Sequence, residues 1–221
     1  MVVLCAISAS ANTIYVPADQ PTIQAGIDAA TNGDTVLVAP GTYQQNVTFA
    51  GKALTLLSES GPATTTISKS ANGAVVTISG IYPGHAVLRG FSITGAVAGP
   101  GVWISGAQAY ILDNIISDNA AGGVTGSATS AAVVRGNYFT RNVNSRGAAI
   151  FTVVPIVIDS NIFVRNVDHD GGGAIAFSGA TQITRNVVYD NSSDDDFGGM
   201  IYSENATGFQ ISNNTIVCNR K

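Results

Sequence analysis

Apolar and polar positions alternate in short runs along most of the chain, and these runs recur with a long period. In five successive repeats a run of mostly apolar residues, such as 132–134 or 156–158, is followed by an asparagine and then by a second asparagine five residues later. The pairs are Asn114/Asn119, Asn137/Asn142, Asn161/Asn166, Asn186/Asn191 and Asn214/Asn219. Both members advance by 23, 24, 25 and 28 residues. A period in this range predicts a solenoid, in which each coil buries its apolar face against its neighbours.

The paired asparagines are predicted to belong to the scaffold rather than to a binding site. Successive coils of a solenoid stack at about 4.8 Å, so each asparagine lies above its copy in the next coil. Its amide has two donors and two acceptors, which can bond along the axis and to the backbone of the bend. Asparagine also tolerates the left-handed conformation of a tight bend. Gly90 and Gly95 are predicted to hold the same two places one coil earlier.

Glycine-led strands and a helical segment complete the predicted architecture. Further strands at residues 101–104, 122–124, 147–150, 173–175 and 199–201 give each coil two or three strands. Near the N-terminus, residues 21–30 predict a helix with Ile23, Ile27 and Ala30 on one face. A helix there would cover the open apolar end of the solenoid.

The domain organisation follows from these segments. We predict a single domain over residues 12–221, with a cap at about 12–50 and asparagine-bearing coils at about 74–221. Residues 1–11 predict a truncated export signal, because a short apolar core at 2–7 precedes small residues at 9–11 but no basic region precedes the core. The alternative is an apolar cap on the first coil. The export signal would make the protein secreted or cell-surface.

Bulk composition excludes some partners. The chain contains no run of about 18 apolar residues, so no membrane span is predicted. A net charge of −4 argues against nucleic acid, which requires a basic surface. Only 11% of the residues are charged, so local clusters of charge stand out.

Two acidic loops are the candidate site. Asp168, His169 and Asp170 follow one ladder asparagine, and three consecutive aspartates follow the next, namely Asp194, Asp195 and Asp196. Since the coils stack, the two loops are predicted to lie side by side and to form a binding patch. Flexible, oxygen-rich loops suit Ca²⁺. The predicted calcium ligands are Asp168, Asp170, Asp194, Asp195 and Asp196.

The same groups, with His169, could instead bond sugar hydroxyls or serve as acid and base. The alternative is a pair of solvated acidic turns without a ligand.

Other charges fall into columns when the repeats are aligned. Asp118, Arg141, Arg165 and Asp190 each precede the second asparagine of a pair. These residues are predicted to form surface ion pairs between coils, worth about 0.2–1 kcal/mol each. Arg135 and Asp159 form a similar pair two places before the first asparagine.

Two parts of the chain resemble a known superfamily. Residues 22–43, which include Gly33-Asp34-Thr35-Val36 and Pro40-Gly41-Thr42-Tyr43, resemble the N-terminal cap of the right-handed parallel β-helix superfamily that includes pectate and pectin lyases. Coils such as 139–142 and 163–166 are similar to repeats of bacterial secreted and surface β-helix proteins. The resemblance implies an all-β fold, a right-handed parallel β-helix with a short N-terminal capping α-helix.

The resemblance leaves three hypotheses for function, because this superfamily includes polysaccharide lyases, hydrolases and non-catalytic adhesins. The chain lacks the motifs of polygalacturonases, pectin methylesterases and alginate epimerases, so its catalytic residues are unknown. The first hypothesis is an extracellular protein that binds a polysaccharide or cell-surface glycan. The second is a structural or adhesive module that associates end to end with copies of itself through an open solenoid end. The third is a calcium-dependent polysaccharide lyase or hydrolase.

Overall fold

The computed structural model describes residues 11–68, 72–80, 84–127, 130–194 and 200–221. Across these ranges the chain forms many short strands and one helix, and every strand pairing is parallel. Nearly all of the predicted export segment lies outside the described residues. In the part that is described, no helix is both long enough and apolar enough to cross a membrane.

The elements are short and evenly spaced. Up to the first complete coil they are β1 Thr13–Val16, α1 Ile23–Ala29, β2 Thr35–Val38, β3 Gly41–Gln44, β4 Val47–Thr48, β5 Thr55–Ser58, β6 Thr65–Ser68 and β7 Val76–Ser79. The next are β8 Ala86–Arg89, β9 Ser92–Thr94, β10 Val102–Ser105, β11 Gln108–Leu112, β12 Ile115–Ser117, β13 Val124–Ser127, β14 Ala131–Arg135, β15 Tyr138–Thr140, β16 Val143–Asn144 and β17 Ile150–Thr152. The last are β18 Ile156–Asp159, β19 Ile162–Val164, β20 Val167–Asp168, β21 Ile175–Phe177, β22 Thr181–Thr184, β23 Val187–Tyr189, β24 Ser192–Ser193, β25 Ile201–Ser203, β26 Gln210–Ser212 and β27 Thr215–Val217.

The strands stack into four parallel sheets. Sheet A contains β1, β2, β5, β8, β11, β14, β18, β22 and β26, and sheet B contains β3, β6, β9, β12, β15, β19, β23 and β27. Sheet C contains β4, β7, β10, β13, β17, β21 and β25, and the small sheet D contains β16, β20 and β24. In the coils that have all four, the chain runs A, B, D, C and returns to A. This topology confirms the predicted all-β parallel solenoid.

Alternation along each strand places the core inside the coils. In sheet A one inward column contains Leu56, Leu88, Ile111, Val134, Ile158 and Ile183, all fully buried. In sheet B the inward rings of Phe139 and Phe163 occupy adjacent coils and stack with centroids 4.9 Å apart. Continuous columns of this kind bury apolar surface at about 25 cal/mol per Å², which is the main stabilising contribution of the fold.

The helix α1 covers the N-terminal end of the core, as predicted. Its apolar face is fully buried at Ile23 and Ile27. The helix is shorter than the predicted span of 21–30, because the hydroxyl of Thr22 accepts the N–H of Ala25 and makes Thr22 the N-cap. At the other end Lys52 Nζ donates to the carbonyl of Ile27 at 2.9 Å, which satisfies a terminal acceptor of the helix.

The asparagine ladders are confirmed atom by atom. Asn142, for example, donates through Nδ2 to the carbonyl of Ile116 at 2.8 Å and to Oδ1 of Asn166 at 3.0 Å. Its own Oδ1 accepts both the backbone N–H and the Nδ2 of Asn119. Both the side-chain nitrogen and the side-chain oxygen of a central ladder asparagine are therefore hydrogen-bonded, and these side chains are buried.

Two predictions about the ladder register are wrong. Phe91 and Ala96 hold the two ladder positions one coil earlier. Their backbone N–H groups donate to Oδ1 of Asn114 and to Oδ1 of Asn119, respectively. Gly90 and Gly95 instead align with the residues just before the asparagines, and both have positive φ. The left-handed conformation at each corner therefore belongs to the residue that precedes the asparagine.

Most of these left-handed corner residues are not glycine. They include Asp113, Asp118, Arg141, Ser160, Arg165, Arg185, Asp190, Asn213 and Cys218, with φ between 52° and 57°. A left-handed corner turns its side chain away from the core, and the charged members pair between coils. Arg141 binds Asp118 through two bonds of 2.7 Å, and Arg165 lies 3.2 Å from Asp190. The predicted column of charges is thus confirmed.

Candidate functional site

The candidate site lies in the loops that connect sheet D to sheet C. We call these the D–C loops: residues 145–149, 169–174 and 194–200 of three successive coils. Sheet D holds their starting points in register, since Asn144 pairs with Asp168 and Asp168 with Ser193. Residues 195–199 lie outside the described residues, so the predicted contributions of Asp195 and Asp196 remain predictions.

Asp168 points into the protein rather than into a shared patch. It is the second residue of the short strand β20, Val167–Asp168, which begins directly after the buried Asn166, and it is fully buried. Its Oδ2 accepts a long bond of 3.4 Å from the Ser193 hydroxyl, whereas Oδ1 has no hydrogen-bond partner among the residues that the structure describes. An unpartnered buried carboxylate oxygen is energetically costly.

Burial accordingly dominates the titration of Asp168. It raises the pKa of this carboxyl from 3.8 to about 6, although the nearby backbone N–H groups of Gly171 and Asp170 act in the opposite direction. Near pH 6 the group is therefore present in both protonated and charged forms. As the described residues are arranged, solvent does not reach it, so its effect on a ligand would be exerted through the loop that it supports.

His169 and Asp194 form an exposed pair between neighbouring coils. Nδ1 of His169 lies 2.6 Å from Oδ2 of Asp194, and the two side chains are 52% and 62% exposed. The two residues are 25 apart, the same step that separates Asn166 from Asn191, so the ladder register places them together. Such a pair can donate and accept hydrogen bonds and can transfer a proton.

Arg146 joins three coils at the same loops. Its Nη1 lies 2.8 Å from Oε2 of Glu204, and its Nε lies 3.7 Å from Oδ2 of Asp170. The side chains of Arg146 and Glu204 are both nearly half exposed. The predicted site included Asp170 but missed these two residues. The signal for Arg146 was available, because Arg146 and Asp170 are 24 residues apart, the step of that coil.

The described residues of the predicted patch therefore do not form one cluster in the structure. Asp194 lies with His169, Asp170 lies near Arg146, and Asp168 is buried between the two. Among the described residues, no group of three or more histidine, cysteine, aspartate or glutamate side chains is arranged to hold a metal ion. Because two of the five predicted ligands lie outside those residues, the calcium site stays a prediction.

A separate groove of about 320 Å³ lies on the outer face of sheet A. Its walls include His85, Tyr110 and Gln182, and none of its lining residues belongs to the D–C loops. His85, for which the sequence indicates no partner, packs edge-on against Tyr110 with centroids 5.1 Å apart. The described residues that line this groove include no carboxylate, and they offer apolar contact and neutral hydrogen bonds.

Comparison with known proteins agrees with this architecture. The family described as "Right handed beta helix region" matches residues 63–216, which includes all of the D–C loops and most of the asparagine ladders. A search of curated proteins finds no match. The match covers well over half of the chain, and the ladders and parallel sheets account for it, so this chain belongs to the right-handed β-helix family.

Proposed function

We propose that this protein is secreted and binds an extracellular polysaccharide through its D–C loops. The observation that supports the proposal is the exposed pair of His169 and Asp194 next to the cluster of Arg146, Asp170 and Glu204. All of these residues except Glu204, which follows strand β25, lie on stacked D–C loops of neighbouring coils.

The chemistry of these groups suits sugar hydroxyls. A hydroxyl both donates and accepts, so a good partner surface offers carboxylate acceptors beside guanidinium or imidazole donors. Charge-assisted bonds of this kind are roughly twice as strong as neutral ones. Because the groups already pair with each other between coils, they are positioned before a ligand arrives, which lowers the entropic cost of binding.

A panel of neutral, uronate and amino-sugar polysaccharides tests the proposal by affinity electrophoresis. We expect binding to at least one of them, and His169→Gln and Asp194→Asn should each weaken that binding by about tenfold, the effect of losing about 1.4 kcal/mol. Asp113→Asn is the matched control, because the Arg89–Asp113 pair is equally exposed but lies on another corner. Absence of binding to every polysaccharide would refute the proposal.

Self-association is a second candidate function. The coil formed by β25, β26 and β27 exposes apolar side chains at core positions. Ile211 is 42% exposed although its register partner Ile183 is buried, and Ile216 is 45% exposed below the buried Val188. A second copy packed on this surface would cover them. Sedimentation velocity should then show dimers or longer species that Ile211→Asp dissociates, whereas a monomer at all concentrations would contradict the idea.

Secretion is supported only by the sequence of residues 1–11. Fusion of residues 1–20 to a reporter enzyme that is active only after export tests it. We expect export by the fusion, and loss of export when Leu4 and Ile7 are changed to aspartate. A reporter that stays inside the cell with the unaltered segment would contradict the proposal.

A further inference from the structure

The outer face of sheet C carries three large aromatic side chains on alternate coils, Trp103, Phe151 and Tyr202, of which Tyr202 lies beside Gly172 of the D–C loops. The outward column runs Thr77, Trp103, Thr125, Phe151, Ala176 and Tyr202 in consecutive coils. Trp103 and Phe151 are both partly exposed. Neither belongs to the buried core nor to the side chains that pack against it. Trp103 and Phe151 are thus surface residues held in a fixed register.

The spacing of these rings differs from that of structural rings. Inside the solenoid, Phe139 and Phe163 lie on adjacent coils and stack directly. On the outer face Thr125 separates Trp103 from Phe151, so the strands that carry the two rings are about 9.6 Å apart, which is twice the spacing of parallel strands. Within the described residues, neither ring stacks on another aromatic ring. Among the described residues the faces of both rings therefore lack aromatic partners, and Thr125 between them is only 9% exposed.

Hydroxyl groups line the neighbouring column. Ser79, Ser105 and Ser127 are in register on three consecutive coils and are all partly exposed. The described outward residues of this part of the face carry no charge. The surface thus combines two aromatic platforms with a row of neutral donors and acceptors.

This face is continuous with the D–C loops. One coil beyond Phe151 the loops pass over the sheet, where Ala176 is only 2% exposed. A Cβ added to Gly172 would lie 2.9 Å from Ala176 Cβ, and one added to Gly147 would lie 2.6 Å from its backbone nitrogen. Gly147 directly follows Arg146. The aromatic face therefore ends where the polar cluster begins.

We infer that the ligand is an uncharged, extended polysaccharide with β-1,4-linked pyranose rings, bound across Trp103 and Phe151; this inference rests on the proposed function. In such a chain successive rings turn over, so the first and third rings present the same face in the same direction. The length of two such sugar residues is close to the separation of the two strands that carry Trp103 and Phe151. Apolar C–H faces of the sugars pack on Trp103 and Phe151, while the second sugar lies over Thr125 and its hydroxyls meet the serine column.

The single tryptophan of the chain is Trp103, so its fluorescence reports on this face in the unaltered protein. We expect cellotriose and cellohexaose to change the emission of Trp103 and to bind about tenfold more tightly than cellobiose, which cannot reach both rings. Xylohexaose should bind similarly, and hexagalacturonate should bind at least tenfold more weakly than cellohexaose.

Variants separate spacing from simple apolarity. Phe151→Ala should remove the advantage of cellotriose over cellobiose. The double change Trp103→Thr with Thr125→Trp keeps two rings but puts them on adjacent coils, and it should remove that advantage as well. Tyr138→Ala is the control, because Tyr138 is a partly exposed aromatic residue on the outer face of sheet B. Circular dichroism verifies that each variant is folded.

The results distinguish this inference from the proposed function. If a polysaccharide binds and depends on His169 and Asp194, but neither cello-oligosaccharides nor Phe151→Ala have an effect, the inference is wrong and the proposed function stands. If neutral oligosaccharides bind through Trp103 without any dependence on His169 and Asp194, the inference stands and the proposed site is wrong. Binding that shows no step between cellobiose and cellotriose also overturns the inference.

Discussion

The corners with asparagine ladders and the D–C loops solve the same problem in opposite ways. At a ladder corner a neutral amide such as Asn142 is buried, repeated in each coil and fully hydrogen-bonded. At the start of one of these loops, on strand β20, the carboxylate of Asp168 is equally buried and occurs in one coil, and among the described residues its Oδ1 has no hydrogen-bond partner. Repetition satisfies polar groups because each copy provides the partner of the next. Where a polar residue is not repeated in the next coil, it has no copy of itself as a hydrogen-bond partner. Such residues are therefore the ones available for function.

The largest expected effect is at the ladder. Asn142→Ala leaves the carbonyl of Ile116 and the N–H groups of Asn119 without their partners. Each buried unsatisfied group costs about 1–3 kcal/mol, so the free energy of unfolding should fall by about 3–5 kcal/mol. Urea denaturation followed by circular dichroism measures it.

Asn219→Ala is the matched control for that change. Asn219 makes the same kinds of bond, to Asn191 and to the carbonyl of Val188, but it is only partly buried. Water replaces its bonds, so the loss should be about 1 kcal/mol. Equal losses for Asn142→Ala and Asn219→Ala would show that burial is not the source of the ladder's stability.

The second prediction concerns Asp168. Because the pKa of Asp168 is raised to about 6 in the folded protein and is about 3.9 when unfolded, its protonation stabilises the fold fully below pH 4, and this contribution is lost as the pH rises through 6. At pH 7.5 Asp168→Asn should therefore increase the free energy of unfolding by about 2–3 kcal/mol.

Urea denaturation of the wild type and of Asp168→Asn from pH 4 to pH 8 checks this sign. The difference between the two should be small at pH 4 and reach its maximum above pH 6.5. A wild type that is more stable than the variant at pH 7.5 would mean that the charged form is favoured in the folded protein.

A third prediction uses Asp159, a buried carboxylate that is fully paired. It accepts from Thr184 at 2.8 Å, from Arg135 at 2.9 Å and from Arg185 at 2.6 Å. Burial alone would raise the pKa of Asp159, but the Thr184 hydroxyl and the two guanidinium groups outweigh it and hold the pKa below its usual value. Its contribution is therefore present above pH 4 and lost as the pH falls through the lowered pKa.

Asp159→Asn should lower the free energy of unfolding at pH 7 by about 1–2 kcal/mol, because two charge-assisted bonds become neutral. The difference from the wild type should shrink as the pH falls below 4. Asp168→Asn and Asp159→Asn thus have opposite signs at neutral pH. If both changes destabilise the protein, the contrast between unpartnered and partnered buried carboxylates fails.

The smallest expected effect is at a left-handed corner. Arg165 has a φ of 56° and pairs with Asp190 while remaining largely exposed. Arg165→Ala and Arg165→Gly both remove the ion pair, but only glycine relieves the backbone. Thermal unfolding should show the glycine variant more stable than the alanine variant by about 1 kcal/mol. Equal stability would show that the corner is unstrained for any residue.

The sequence was sufficient for the fold because the asparagine period carries the register of every coil. It was insufficient at the corners, since glycine at positions 90 and 95 mimics a missing asparagine. There the backbone requirement belongs to the preceding residue, and glycine meets it without strain. Only the hydrogen bonds to Phe91 and Ala96 fix the true alignment.

The candidate site was predicted in part, and the reasons are geometric. The ladder steps place His169 beside Asp194 and Arg146 near Asp170, so those neighbours could be derived from sequence. The inward direction of Asp168 depends on strand β20 continuing two residues past Asn166, which composition does not reveal. Glu204 reaches Arg146 across two coils, and no repeat step predicts a contact of that length.

The invariant spacing of five residues within each asparagine pair has one more consequence. All variation in coil length, from 23 to 28 residues, falls between the second asparagine of one pair and the first of the next. The segment between the two asparagines of a pair is therefore fixed in length, while the segment between one pair and the next can vary. Insertions between one asparagine pair and the next would alter the surface of the solenoid but not its length along the axis. A gain or loss of one whole coil would change that length by about 4.8 Å.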